Sequence, residues 1–337
     1  MRASAYITLA AAASGIQGAA VARGSGSDNP PIRNVFTFGP NTFIENIAVR
    51  ANSNLLITSM SVPDLFSIDP TVASPSASIV HTFPNGTGLS GIAEVTPDVF
   101  ALVTGIWDLA NTRAALGSLA VWTIDLNRTP PEVKLITHVA NSTILNGVAR
   151  HPTNPRLLLC ADSALGAIWR VDLITGAYSV VFSSPLFQRT ATAHLGINGL
   201  RSAPGSPYLY FTNSAQGLFG RVAVQPDGNQ AGAVEVISNN TGAGADVVYD
   251  DIALDLNGSG KKGDAWIASH PSYAVRVGVP GGGQHVVEDT AKLLNPTSAA
   301  FGRGGGREKK TLYVTNGGEF LPDFTLVNEG VVAIDLR

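Results

Sequence analysis

The chain has 337 residues, 45% of them hydrophobic and 14% charged, with a net charge of −3, 36 Gly, 20 Pro and one Cys. This composition fills a large core and excludes both a disordered tail and a nucleic-acid binder that works by massed cations. The 22 Lys and Arg are scattered, and the densest basic run, Arg307, Lys309 and Lys310, reads as a solvated turn.

Residues 1–22 read as a secretory signal. Arg2 is the positive region, Ala5 to Ala13 a weakly apolar run, and Ala20-Val21-Ala22 a small-x-small cleavage pattern. The run is shorter than the ~20 residues of a membrane span, so the expectation is a secreted mature chain, residues 23–337, with no membrane partner. Sequons at Asn85, Asn127, Asn141, Asn239 and Asn257 fit N-glycosylation on that route. Cys160 has no second cysteine to pair with and follows the apolar Leu157-Leu158-Leu159, which points to a buried thiol.

From Glu45 onward one element recurs six times, about fifty residues apart. Its copies are Glu45-Asn46-Ile47-Ala48, Ser90-Gly91-Ile92-Ala93, Asn146-Gly147-Val148-Ala149, Asn198-Gly199-Leu200-Arg201, Asp250-Asp251-Ile252-Ala253 and Thr297-Ser298-Ala299-Ala300. Each is followed by a second apolar run: Leu55 to Thr58, Ala101 to Thr104, Leu157 to Cys160, Leu209 to Thr212, Ala265 to Ala268 and Leu312 to Thr315. Third and fourth runs follow, such as Ala120 to Asp125 and Leu135 to Thr137. Four short β-rich runs per unit, separated by Gly, Pro, Asn and Asp and without helical periodicity, predict an all-β, six-bladed β-propeller in a single domain. The last unit has only three runs before Arg337, so Ile32 to Phe38 is expected to supply its fourth strand and close the ring. A solenoid would need capping repeats, and none is evident.

In such a ring the start of each first strand and the end of each second strand lie on one face. The first-strand starts are Glu45, Ser90, Asn146, Asn198, Asp250 and Thr297, an oxygen-bearing side chain in every blade. A ring of carboxylate and amide oxygens suits a hard divalent cation such as Ca²⁺; the competing reading is that these residues cap backbone amides. The second-strand ends bring Met60, Asp162, Ser214 and His270 to the same mouth, with His194 on the loop into blade 4. His270 is a candidate for proton transfer, or else it orients the turn at Pro271. His81, His138, His151 and His285 fall in outer strands or opposite-face turns. The blade 2 insertion from Ile106 through Trp107 to Gly117, with Met60, Leu186, Phe187, Tyr273 and Phe320 on neighbouring loops, offers an apolar roof for a greasy ligand or simply anchors the loops. No nucleophile elbow, zinc motif or phosphate loop is present.

These residues resemble the regucalcin/gluconolactonase family of six-bladed propellers, most clearly at Asn198-Gly199 and at Pro296 to Gly302 leading to Leu312-Tyr313-Val314-Thr315. The resemblance implies one divalent metal held by Glu45, Asn146, Asn198 and Asp250, which would polarise a lactone carbonyl with the Asp as general base. Two positions depart from the family pattern: Asn46 and Asp251 stand where Gly is usual. In overall character the chain is closest to the fungal hetero-Diels-Alderases of tropolone-sesquiterpenoid biosynthesis. That resemblance implies dehydration of a hydroxylated tropolone to a quinone-methide heterodiene, then cycloaddition to a humulene-type alkene, with no cofactor required. It would use His270, Asp251, Asp162 and Asn198 for the polar steps, and Trp107, Met60, Phe187, His194, Tyr273 and Phe320 to hold the substrate. Three classes therefore stand: such a pericyclase, a metal-dependent lactonase or esterase, and a non-catalytic ligand-binding propeller. In each the partner is an apolar small molecule and the chain is read as a monomer.

Overall fold

The structure is a computed structural model that describes residues 22–23, 30–242, 247–256, 263–279 and 281–336. Apart from Ala22, the signal segment lies outside the described residues, as does the sequon at Asn257. Six sheets, each with four antiparallel strands, form the six blades of a propeller, and the blade 5 sheet gains a fifth, short strand, Ala22–Arg23, parallel to its outer strand Gln284–Glu288. Their inner strands are Ile44–Val49, Gly88–Thr96, Leu145–Arg150, Ile197–Ser202, Val248–Leu254 and Pro296–Phe301, and each packs against the next around a closed ring.

Closure follows the expected route. Blade 6 comprises Pro296–Phe301, Thr311–Asn316, Gly330–Asp335 and, outermost, the N-terminal strand Ile32–Thr37, which pairs antiparallel with Gly330–Asp335. Because blades stack face to face, both faces of each sheet need apolar side chains, which is why so many runs read as continuously hydrophobic. Leu56, Leu65, Phe83, Leu89, Ile92, Phe100 and Leu102 fill one such layer between blades 1 and 2. Leu159, Ile168, Phe182, Phe187, Ile197, Leu200 and Phe211 fill another between blades 3 and 4. Each fully buried Leu, Ile or Phe contributes about 1.5–3 kcal/mol. Cys160 is buried in the core, and burial pushes its thiol pKa far up, so it stays protonated and inert.

The pairing of inner with second strand slips at the same level in every blade. The shifts fall between Ile44 and Ile47, Leu89 and Ile92, Leu145 and Val148, Ile197 and Leu200, Tyr249 and Ile252, and Pro296 and Ser298. Each inserts one extra inner-strand residue, a β-bulge, and bulges re-aim side chains. The bulged residues are those of the recurring element. Hydroxyls pin the bulges from the preceding blade: Ser90 Oγ donates to Leu145 O, Ser163 Oγ to Ile197 O, Ser214 Oγ to Tyr249 O and Thr297 Oγ1 to Ile44 O. Each target is the carbonyl just before a bulged residue.

Candidate functional site

Glu45, Asn146, Asn198 and Asp250 occupy the same bulge position in blades 1, 3, 4 and 5, and all four are buried. His270, at the end of the second strand of blade 5, places Nε2 2.9 Å from Asp250 Oδ2, with its side chain 31% exposed. Burial raises the pKa of Asp250, and the His270 hydrogen bond opposes that shift. Glu45 is pushed well above the usual carboxylate range, first by burial and then by Asp250 and Asp251. Neither the Glu45 carboxyl nor the Asn146 amide makes a side-chain hydrogen bond among the described residues, and Asn198 Oδ1 is buried without a partner.

Immediately beneath lies a second polar level. Asp251 Oδ2 accepts from Arg201 Nη2 at 2.7 Å, Ser298 Oγ at 2.8 Å and Asn46 Nδ2 at 2.9 Å, while Oδ1 accepts from Ile252 N at 2.8 Å. Blades 1, 4, 5 and 6 thus meet on one carboxylate. Around the rest of this level Gly91 and Gly147 permit close blade contact, and Gly199 makes room for Asp251, whose Oδ1 would lie 2.3 Å from a Cβ there. A Cβ on Gly91 would come within 2.3 Å of Asn146 O, and one on Gly147 within 2.6 Å of Asn198 O. The two departures from glycine, Asn46 and Asp251, are therefore partners in one buried cluster, and Asp251 does not stand beside His270. Sequence reading missed Arg201 and Ser298, although a signal existed: five copies of the repeat carry Ala where blade 4 carries Arg201.

Asp162 requires a second correction. Strand pairing matches Cys160, Phe211 and Ile267 to one another across blades 3, 4 and 5, so Ser163, Ser214 and His270 share a level. The sequence alignment was one residue off in blade 3, and in a strand one residue reverses the face. Asp162 is fully buried; it caps its turn through Ala164 N and Leu165 N and accepts from Trp169 Nε1 at 2.9 Å. It presents nothing to the channel.

The apolar candidates divide. Phe187 is fully buried between blades, edge-on to Phe211 at 5.0 Å, and Tyr273 sits in the blade 5 core with Tyr249 and Val275. Both are core residues out of ligand reach. Trp107 and Met60 share one cluster with Ala114, Leu119 and Ile144 under the mouth-side loops. His194 and Phe320 are exposed. The mouth face also exposes Ile106, Leu109 and Leu116 on the blade 2 insertion, Leu165 on blade 3, and Leu321 and Phe324 beside Phe320 on the blade 6 insertion. A groove of about 500 Å³ on the opposite face is lined by Arg156, Arg170, Asp172 and Asp227. Its arginines are already engaged: Arg156 pairs with Asp172 at 2.8 Å, and Arg170 donates to Asp227 O at 2.6 Å.

The mouth residues fit a hard cation, since Glu45 and Asp250 supply carboxyl oxygens and Asn198 Oδ1 is an orphaned buried acceptor. Among the described residues, no group of three or more His, Cys, Asp or Glu is arranged to hold a metal; the set here is two carboxylates and two amides.

No family model matches the chain. It is 26% identical over 322 residues to a Sarocladium schorii protein provisionally named hetero-Diels-Alderase asR5, an alignment covering 86% of this chain and 78% of that one. It is 28% identical over 305 residues to a Phoma sp protein of the same provisional name, covering 81% and 83%. Among solved structures it superposes on a luciferin-regenerating enzyme with a TM-score of 0.64, at 14% identity and covering 91% and 95% of the two chains. With regucalcin from Agrobacterium tumefaciens the TM-score is 0.60, at 17% identity and covering 94% and 97%. The fold is thus that of the regucalcin and gluconolactonase propellers, and the sequence is similar to proteins named as hetero-Diels-Alderases.

Proposed function

We propose that this propeller is a pericyclase that dehydrates a hydroxylated tropolone to a quinone-methide heterodiene and directs its cycloaddition to a humulene-type alkene. The similarity to two proteins named hetero-Diels-Alderases supports an enzyme of that general kind. The observation that carries the reading is His270: a part-exposed imidazole bonded to Asp250 at a mouth whose loops expose apolar side chains.

The imidazolium of His270 delivers a proton to the leaving hydroxyl, and the ring O–H of the substrate returns one to the imidazole. One water leaves and the catalyst is regenerated. Asp250 holds the ring in orientation through the 2.9 Å contact to Nε2. The cycloaddition moves no proton. Its two new σ bonds need only confinement of both partners in one approach geometry, which is the task left to the apolar loops. In this reading the chain is secreted and monomeric and requires no cofactor.

A second reading, a metal-dependent lactonase, is favoured by the orphaned Asn198 Oδ1 beside Glu45, Asn146 and Asp250. A divalent ion bound there would supply Lewis acidity toward a carbonyl. The test is incubation of the purified chain with the hydroxylated tropolone and the alkene, and separately with a lactone before and after EDTA. Formation of one cycloadduct above the uncatalysed ratio is expected. Chelator-sensitive lactone hydrolysis without cycloadduct would move the assignment to the second reading.

A further inference from the structure

We propose that Ser214 is the positioning residue of the channel mouth, fixing the Asn198 amide so that Oδ1 is the acceptor kept for a bound cation. Ser214 is buried, and its Oγ lies 2.7 Å from Tyr249 O and 2.9 Å from Asn198 Nδ2. A carbonyl can only accept, so the single hydroxyl proton is committed to Tyr249 O. Toward Asn198 the hydroxyl can then only accept, which forces the amide to present nitrogen rather than oxygen. The amide nitrogen is thus engaged by Ser214, while Oδ1 is buried without a partner among the described residues. The same Ser214 proton anchors the peptide that enters Asp250, so one hydroxyl sets the amide of blade 4 and the carboxylate of blade 5 together.

Ser163 supplies the internal control. It stands at the same level in blade 3 and donates to Ile197 O at 2.6 Å, yet it makes no bond to the Asn146 amide. The two serines thus share the inter-blade bond and differ in the amide contact. The inference rests on the mouth quartet as a site and not on which reaction the site performs.

The experiment is Mn²⁺ titration of the full chain, followed by the loss of its free aqueous electron paramagnetic resonance signal, with thermal melts of every variant. Ser214→Ala should weaken Mn²⁺ binding about tenfold, the scale of one buried hydrogen bond, and Ser214→Thr should restore it. Ser163→Ala should lower the melting temperature as Ser214→Ala does, yet bind Mn²⁺ like the parent. Parent-like binding by Ser214→Ala, or equal weakening by Ser163→Ala, overturns the proposal. If the parent takes up no Mn²⁺, the cation is discarded and the positioning role is read by nuclear magnetic resonance. The Asn198 side-chain NH₂ pair, identified by its loss in Asn198→Asp, should exchange slowly in the parent and quickly in Ser214→Ala; unchanged exchange overturns the role. Absence of cycloadduct from the parent would sink the reaction reading and leave these measurements untouched.

Discussion

The channel mouth and the level just beneath it are built from consecutive residues of the same six bulges, but they treat polar groups in opposite ways. Below, the Asp251 carboxylate collects Arg201, Ser298, Asn46 and a backbone amide, and both its oxygens are satisfied. Above, among the described residues, Glu45 and Asn146 have no side-chain hydrogen bond, and Asn198 Oδ1 has no partner. A satisfied buried network locks four blades in register, whereas an unsatisfied one is a cost that a fold carries where a ligand completes it.

The largest effect that would break this contrast lies at the lower level. Arg201→Met strands the buried Asp251 charge and should cost about 3–5 kcal/mol in denaturant unfolding, while the double variant Arg201→Met, Asp251→Leu should lose less. A loss below about 1 kcal/mol would mean that the cluster is not the lock described here. At the mouth, His270→Ala should lower turnover from the hydroxylated precursor by about 10²-fold with little change in melting temperature. The outcome with a chemically generated heterodiene should be unaltered.

Neutralising one carboxylate at each level sharpens the contrast further, because the two signs differ. Glu45 has its folded pKa raised above the unfolded value of about 4.3. Its favourable contribution is full below that pH and is lost as pH rises through the folded value. In EDTA at pH 8, Glu45→Gln should therefore stabilise the chain by more than about 1 kcal/mol, one pKa unit being about 1.4 kcal/mol, and the gain should vanish near pH 4. Asp251→Asn should destabilise at pH 8. Equal signs at pH 8 would erase the distinction between levels. The smallest effect is expected at the rim: Phe320→Ser removes an exposed ring, so KM for the apolar partner should rise a few-fold, on the order of 1 kcal/mol, with an unchanged melt.

The architecture was legible in the sequence because a six-fold repeat states it six times, and the three-strand last unit even named the strand that completes it. The four mouth positions were legible for the same reason. Asp162 was misplaced because the repeat does not fix register: the second run of blade 3 starts one residue early relative to its pairing, and alternation turns one residue into the wrong face. Phe187 and Tyr273 follow each mouth-side strand end closely enough to suggest loop residues, but both turn back into inter-blade layers that only packing reveals. The Asp251 cluster joins residues 205 apart in the chain, Asn46 and Asp251, and no local pattern announces such a meeting. Its visible traces were Asn46 and Asp251 where Gly is usual and Arg201 in a column of alanines.

The ring closure has a consequence in time. Ile32–Thr37 leaves the ribosome about three hundred residues ahead of its partner Gly330–Asp335. At roughly 5–20 residues per second of synthesis, the first strand waits on the order of tens of seconds with its edge unpaired, carrying Ile32, Val35 and Phe36. Five blades can stack during that interval, but the circle stays open at one seam until Gly330–Asp335 arrives. Until then the newborn chain carries an open strand edge at Ile32–Thr37, and Gly330–Asp335 is what covers it.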